Sequence, residues 1–216
     1  MHGGGFVTGS PDSGDCMYRE IALGAPVVVV SIAYRLAPKH PFQTGFNDLL
    51  QVIQWVVSFE GQRVLGVDLR QAFLLGGESA GGNFTAGLAH AMLSEQDLKP
   101  QPTSVEEVDD APGLTVKSTK FFADRYGAPC EDRRYSPLLH PSRKASAKKA
   151  FFQTCSWDPR RDEAILYRQI LHEEGIETRE KIYKGLPHGF WTTSPDLPES
   201  KAAIQNTVDG VEWMLE

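Results

Sequence analysis

The hydrophobic pattern alternates between short apolar runs and longer stretches with helical periodicity. Residues 25–34, APVVVVSIAY, form a continuous β-branched run, which predicts a strand buried on both faces. Residues 44–58 place apolar side chains three and four positions apart, which predicts an amphipathic helix. The alternation repeats with a short apolar strand over 72–75 and a helix after a glycine turn. The side chains expected to be buried by this second helix are Leu88, Ala89 and Met92.

The second half of the chain repeats the same alternation. An apolar strand over 150–157 precedes a helix with a stop at Gly175, and a strand over 177–185 follows. The last helix is predicted to bury Ile204, Val208, Val211 and Leu215 on one face. Strands and helices that alternate in this way predict an α/β fold with a mostly parallel sheet flanked by helices. At 216 residues, we expect a single domain over 1–216.

One region interrupts the alternation. Residues 95–117 contain no run of four apolar side chains, so no buried strand is predicted where the rhythm would place one. The stretch 115–127 is typical of a short amphipathic helix. We therefore expect 95–125 to be irregular as a whole, and the remnant of a cap is one interpretation of it.

Composition excludes several classes of protein. The net charge is −6 and the basic residues are scattered, so a nucleic-acid partner is not expected. The three cysteines, Cys16, Cys130 and Cys155, show no C-x-x-C spacing, which argues against a disulfide framework or a zinc site. No stretch approaches the roughly 20 apolar residues of a membrane span, and no leader pattern is present. We expect a cytoplasmic protein with no cofactor and no metal.

A candidate nucleophile lies in the sequence GGESAGG, residues 76–82. Gly77, Ser79 and Gly81 match the G-x-S-x-G pattern between a predicted strand and a predicted helix. In such an elbow the residues two before and two after the serine must be very small. A glycine-rich turn with an exposed serine is the alternative, but the strand–turn–helix placement favours the nucleophile.

A serine hydroxyl needs a base, and His188 is the candidate. It follows the predicted strand 177–185, where the strand's carboxyl end would present it at the edge of the sheet. The other histidines have simpler explanations. His172 and His90 lie within predicted helices, as surface or packing residues, and His40 and His140 lie in loops next to prolines.

The candidate carboxylate is Asp158, which directly follows the predicted strand 150–157 and so lies at the same edge of the sheet. A weaker interpretation makes it a helix N-cap ahead of Pro159. Asp162 and Glu163 fall in the first turn of the next helix, where the helix dipole sufficiently explains them.

The chain begins with a glycine-rich loop, HGGGF. Backbone N–H groups that receive the negative charge of an acyl-transfer reaction are worth about 3 to 4 kcal/mol each, and glycines let them approach closely. We expect Gly4, Gly5 and Ala80 to be the donors, with His2 and Gly3 shaping the loop. A disordered start or tag remnant would be the better interpretation without Ser79, Asp158 and His188.

These segments together resemble a known family. HGGGF, SIAYRLAPKHPF, GGESAGGN, DPRRDE and GLPHGFW are similar to motifs of the hormone-sensitive-lipase branch of the α/β hydrolases, which contains carboxylesterases and lipases. The order serine, aspartate, histidine is also that of the α/β-hydrolase triad. The resemblance covers residues 2 to about 100 and 119–216. It implies Ser79 as nucleophile, His188 as base and Asp158 as its orienting acid, with Gly4, Gly5 and Ala80 at the oxyanion site.

Some features depart from the family. Glu78 stands where aspartate is common, and Arg160 where an apolar residue is common. Family members carry strands and cap helices before the glycine loop and a strand after the nucleophile helix. We therefore expect a shortened relative that lacks the N-terminal strands and one inner strand, with an opening loop that frays.

The sequence thus predicts a serine hydrolase that cleaves small carboxylic esters. A non-catalytic small-molecule-binding protein on the same fold and an inactive truncated relative stay open as alternatives. A homodimer is a possible assembly.

Overall fold

The computed structural model describes residues 1–91, 111–141, 143 and 146–216. The first part contains a 3-10 turn, Pro11–Gly14, and four helices: α1 Asp15–Gly24, α2 Thr44–Val57, α3 Phe59–Leu65 and α4 Ala80–Ala91. The second part contains α5 Val116–Tyr126, a 3-10 turn Pro137–Leu139, β1 Lys149–Trp157, α6 Arg161–Glu173, β2 Glu177–Pro187, α7 Phe190–Thr193 and α8 Pro198–Leu215.

The C-terminal part forms a strand–helix–strand unit. Strands β1 and β2 pair in parallel, with Lys149 opposite Glu177 and Cys155 opposite Tyr183. A bulge then brings Trp157 opposite Pro187. Because parallel strands end at the same edge of a sheet, the residues that follow β1 and β2 emerge side by side.

The helix predictions are confirmed for the segments that the structure describes. Helices α2, α4, α6 and α8 occupy the predicted stretches, and the amphipathic stretch 115–127 contains α5. The segment 95–125 is therefore helical over its last part, while 95–110 lies outside the described residues. The apolar stripe of α8 differs from the prediction, because Val208 is buried whereas Ile204, Val211 and Leu215 are only half-buried. Leu88 is buried as predicted, and Met92 lies outside the described residues.

The two strands predicted in the first half of the chain are not observed as strands. Residues 25–34 and 72–75 belong to no strand, and among the described residues only β1 and β2 form a hydrogen-bonded ladder. A strand requires a neighbouring backbone about 4.8 Å away, and none of the described residues supplies a ladder here. As a consequence Val28 is 53% exposed and Leu74 is 36% exposed, although both belong to runs that are apolar enough for an interior strand.

The apolar core has two parts. The larger one surrounds Phe84 of α4 and joins the glycine loop to α2 and α5; its buried members are Phe6, Tyr34, Ala37, Phe46, Leu49, Ile53, Ala80, Phe84, Leu88 and Tyr126. The smaller one lies between the sheet and the C-terminal helices and contains Cys155, Tyr183, Phe190 and Ala203. Phe6 stacks on Tyr126 with ring centroids 4.0 Å apart, so the opening loop is anchored in the larger core.

A buried histidine on α4 makes the stability depend on pH. His90 is 2% exposed, shares a 2.8 Å hydrogen bond with the Tyr167 hydroxyl and stacks on His140. Burial, followed by the charges of His140 and Arg143, lowers the pKa of His90 to about 3. Burial also lowers the pKa of His140.

We expect the free energy of unfolding to fall as the pH drops from about 6.5 towards 3. Over this window the unfolded chain binds a proton at His90 that the folded chain does not bind, so acid favours unfolding. His90→Gln should flatten the slope of unfolding free energy against pH, measured by urea denaturation between pH 4 and 7. His172→Gln, at an exposed position on α6, serves as the control. An unchanged slope in His90→Gln would contradict this explanation.

Candidate active site

Ser79 occupies a sharp turn between the extended residues 72–77 and α4. Its φ is +53°, a left-handed conformation that non-glycine residues rarely adopt and that costs about 1 to 3 kcal/mol. A Cβ on Gly77 would overlap the carbonyl of Gly81, and a Cβ on Gly81 would overlap the carbonyl of Met1. The turn therefore requires glycine at both flanking positions, and the Ser79 side chain is left exposed at its tip.

His188 and Asp158 lie where β2 and β1 end. Asp158 directly follows β1, and His188 directly follows β2 at the same edge of the sheet. His188 donates a hydrogen bond from Nδ1 to Oδ2 of Asp158 over 2.6 Å. The Ser79 hydroxyl lies 2.8 Å from His188 Nε2, within hydrogen-bond distance. Three side chains that are far apart in the sequence thus form one hydrogen-bonded line.

The Asp158 carboxylate is held from two sides. Its residue is only 7% exposed, and its second oxygen, Oδ1, accepts a 2.7 Å hydrogen bond from the backbone N–H of Arg160. The backbone carbonyl of Asp158 accepts from Arg161 at the start of α6. The carboxylate is consequently fixed in the orientation that meets His188. The N-cap interpretation of Asp158 is wrong, because α6 begins at Arg161 and its N-cap residue is Arg160.

The glycine loop lies against the turn at Ser79. Gly4, Gly5 and Phe6 have φ values of +112°, +59° and +66°, and a Cβ on Gly3 would lie 3.2 Å from the Ser79 Cβ. A Cβ on Gly5 would overlap the ring of Phe122 on α5. Only a chain without side chains at these positions can pass between Ser79 and α5.

Three backbone N–H groups beside Ser79 have no hydrogen-bond acceptor among the described residues. The N–H groups of Gly4, Gly5 and Ala80 donate to no acceptor within residues 1–91, 111–141, 143 and 146–216. Buried or half-buried amides are nearly always paired, so unpaired amides beside a serine hydroxyl are a place where a ligand oxygen can bind.

His2 supports the loop from below. Its ring is 2% exposed and stacks on Tyr34 at 4.2 Å, and Nδ1 hydrogen-bonds the carbonyl of Gly3. The Tyr34 hydroxyl donates to the His2 carbonyl over 2.9 Å. Burial lowers the pKa of His2, so the ring is neutral at physiological pH. Tyr34 lies within SIAYRLAPKHPF, but sequence reasoning assigned it no part in the site.

Met1 also contacts the turn that precedes Ser79. The backbone amine of Met1 donates to the Gly76 carbonyl over 2.8 Å, and the Glu78 N–H donates to the Met1 carbonyl over 3.2 Å. These two bonds tie the glycine loop to the residues that precede Ser79. The expected fraying of the loop stays a prediction.

All ten predicted site residues therefore meet in one place. Among the described residues, no group of three His, Cys, Asp or Glu side chains could hold a metal ion, and no helix is long and apolar enough to cross a membrane. Sequence reasoning missed Phe122, which covers Gly5, and Thr192, whose hydroxyl lies 3.4 Å from the Glu78 carboxylate. Neither residue stands out by its type or spacing, because only the fold brings α5 and α7 to the site.

Comparison with known proteins identifies the family. A model of the alpha/beta hydrolase fold matches residues 1–192, and the chain belongs to that family. An AB hydrolase superfamily protein of Schizosaccharomyces pombe is 32% identical, covering 99% of this chain and 69% of its own length. Esterase LipI of Mycobacterium tuberculosis is 31% identical, covering 100% of this chain and 72% of its own length.

Solved structures lead to the same family. Vibralactone cyclase superposes with a TM-score of 0.89 at 31% identity, covering 99% of this chain and 69% of its own. The predicted α/β hydrolase fold and the resemblance to the hormone-sensitive-lipase-like esterases are confirmed. The relatives support a hydrolase for this chain.

Proposed function

We propose that this chain is a serine hydrolase that cleaves carboxylic esters, with Ser79 as nucleophile, His188 as general base and Asp158 as the residue that orients His188. The observation that carries the proposal is the hydrogen-bonded line from Asp158 Oδ2 through His188 to Ser79 Oγ, with distances of 2.6 and 2.8 Å. The esterase names of relatives at about 30% identity support the substrate class.

The first half of the reaction forms an acyl-enzyme. His188 Nε2 takes the proton of Ser79 as Oγ attacks the ester carbonyl, and the carbonyl oxygen becomes negatively charged. The amides of Gly4, Gly5 and Ala80, which donate to no acceptor among the described residues, would receive this charge. His188 then gives its proton to the departing alcohol.

The second half releases the acid. A water molecule, deprotonated by His188, attacks the acyl carbon, and the proton returns to Ser79. Asp158 keeps the Nδ1–H tautomer of His188, so that Nε2 faces the serine throughout. Its own orientation depends on the Arg160 amide and on burial, both of which act before substrate arrives.

A second candidate is intramolecular acyl transfer. The structural similarity to vibralactone cyclase, with a TM-score of 0.89, supports intramolecular acyl transfer as this second candidate. An acyl-enzyme that carries its own hydroxyl can react with that hydroxyl instead of water and release a lactone. Product analysis by mass spectrometry with esters of long-chain hydroxy acids separates the two, because hydrolysis gives the free hydroxy acid and cyclisation gives a product 18 Da lighter.

Further expectations about this protein stay predictions. They are the single domain, the cap remnant, the cytoplasmic location, the absence of nucleic-acid binding and the homodimer. A small ester is the proposed partner of the site.

The proposed function is tested by labelling and turnover together. We expect the purified chain to hydrolyse p-nitrophenyl acetate or butyrate, and a fluorophosphonate to modify Ser79, as identified by peptide mass spectrometry. Ser194→Ala, at an exposed serine after α7, should be labelled like the wild type. A folded chain that neither turns over esters nor accepts the label would favour the binding-protein alternative.

A further inference from the structure

An ion pair lies directly beside the Asp158 carboxylate. Arg160 and Glu163 are joined through Arg160 Nη2 and Glu163 Oε2 over 2.8 Å, and both side chains are largely covered, at 34% and 28% exposure. The pair spans the start of α6, where Arg160 is the N-cap residue and Glu163 lies three positions later. Some other arginine–carboxylate pairs of the described residues are more exposed, such as Arg63 with Glu60 at 62% and 57%, and others are more covered, such as Arg168 with Glu180 at 26% and 14%.

Arg160 connects this pair to the active-site line. Its backbone N–H donates to Asp158 Oδ1 while its guanidinium holds Glu163. One residue therefore contacts two carboxylates, one through its main chain and one through its side chain. Any change in the side-chain pairing acts on the same residue that orients Asp158.

The two carboxylates also interact through space. The pKa of Glu163 is raised, first by burial and then by the negative charge of Asp158, while the Arg160 guanidinium opposes the shift. A second carboxylate beside Asp158 would favour the protonated imidazole of His188, because negative charge attracts the imidazolium. The guanidinium cancels that charge.

We propose that the Arg160–Glu163 pair is a charge-balanced positioning device, which holds the Asp158 carboxylate towards His188 while adding no net charge beside the imidazole. This inference rests on the proposed function, since it assigns the pair a role through Asp158 and His188. Neither residue contacts Ser79, so both are positioning residues rather than catalytic ones.

Other charged and titratable groups surround the same line and remain constant in the test. They are Glu78 before the nucleophile, the Arg161–Asp162 ion pair at the start of α6, the Cys155 thiol on β1, the Tyr135 hydroxyl with Cys130 near it, and the amine of Met1. Burial, followed by the charge of Asp158, raises the pKa of Cys155 to about 12, so this thiol is neutral. Burial also raises the pKa of Tyr135, so its hydroxyl is neutral as well.

The decisive variant is Glu163→Gln. It leaves Arg160 unpaired and positive near His188, which disfavours the imidazolium, so the acidic limb of kcat/KM should move to lower pH by about half a unit. Arg160→Lys keeps the charge balance and should leave the limb in place. The double variant Arg160→Leu/Glu163→Gln removes both charges and should return the limb to its wild-type position.

A matched control comes from α3. Arg63 and Glu60 form a pair with the same three-residue spacing at 2.6 Å, distant in the sequence from all three residues of the line. Glu60→Gln should leave the pH profile unchanged. A purely structural role for Arg160 and Glu163 would lower kcat/KM equally at every pH, and that result would overturn the proposal.

A second readout separates this proposal from the proposed function. The ring-proton resonances of His188 can be titrated by NMR in the full chain whether or not it hydrolyses esters. We expect the midpoint to fall in Glu163→Gln and to recover in the double variant. A His188 titration midpoint that does not move in Glu163→Gln refutes the charge-balance role. If the wild type shows no esterase activity but the midpoint still moves, only the proposed esterase function is refuted.

Discussion

Replacing Ser79 with alanine should lower kcat/KM for p-nitrophenyl esters by roughly 10⁴- to 10⁶-fold while the fold is retained. The hydroxyl is the atom that His188 Nε2 reaches at 2.8 Å, and nothing else on that side chain contributes to packing because it is exposed. Alanine is smaller than serine and therefore fits the same turn between the flanking glycines. The measurement is a steady-state assay combined with the midpoint of thermal unfolding, which should change little.

The control for Ser79→Ala is the Ser194→Ala variant, which should keep full activity. If a correctly folded Ser79→Ala sample hydrolyses esters at the wild-type rate, the reaction depends on another nucleophile. The three cysteines are the obvious competitors, and two of them, Cys16 and Cys130, are exposed. Insensitivity of the wild-type rate to iodoacetamide would exclude Cys16 and Cys130.

Replacing Gly77 with alanine should destabilise the chain by about 1 to 3 kcal/mol or more and remove activity with it. The added methyl group would overlap the backbone carbonyl of Gly81, and neither backbone can move without displacing Ser79 between them. Overlap with backbone is costlier than overlap with a flexible side chain, since no rotamer change relieves it. Urea denaturation and the esterase assay measure the two effects.

The adjacent glycine provides the matched control. A Cβ on Gly76 would meet no atom within 4 Å, so Gly76→Ala should change stability by less than about 0.5 kcal/mol and leave activity intact. If Gly77→Ala and Gly76→Ala had the same stability and activity, the close packing of the turn that presents Ser79 would be wrong.

Local sequence was sufficient for the helices but not for every strand. Helix α2 follows from apolar side chains at three-and-four spacing, and its Phe46, Leu49 and Ile53 are buried. The run 25–34 has equally strong strand character, yet it joins no ladder among the described residues. A helix satisfies its hydrogen bonds within itself, whereas a strand depends on a neighbour that its own residues do not specify.

The line of Asp158, His188 and Ser79 was predictable because each residue lies in the turn or loop that follows a predicted strand. Parallel strands place such residues at one edge, so β1 and β2 alone bring Asp158 and His188 together. The Arg160–Glu163 pair does not follow from the sequence, in which the helix dipole is a sufficient explanation of Glu163. That reasoning is correct for the position but says nothing about the direction of the side chain.

The amino-acid sequence by itself determined which residues we propose to carry the chemistry and the order in which helices and the C-terminal strands follow one another. Glycines, a serine, an aspartate and a histidine were identified because their types and spacing have few other uses. The tertiary structure alone decided that Phe122 covers Gly5, that Tyr34 supports His2 and that Arg160 joins two carboxylates. The physical reason is that periodicity reports which face of an element is apolar, whereas contacts between distant side chains depend on how the elements pack.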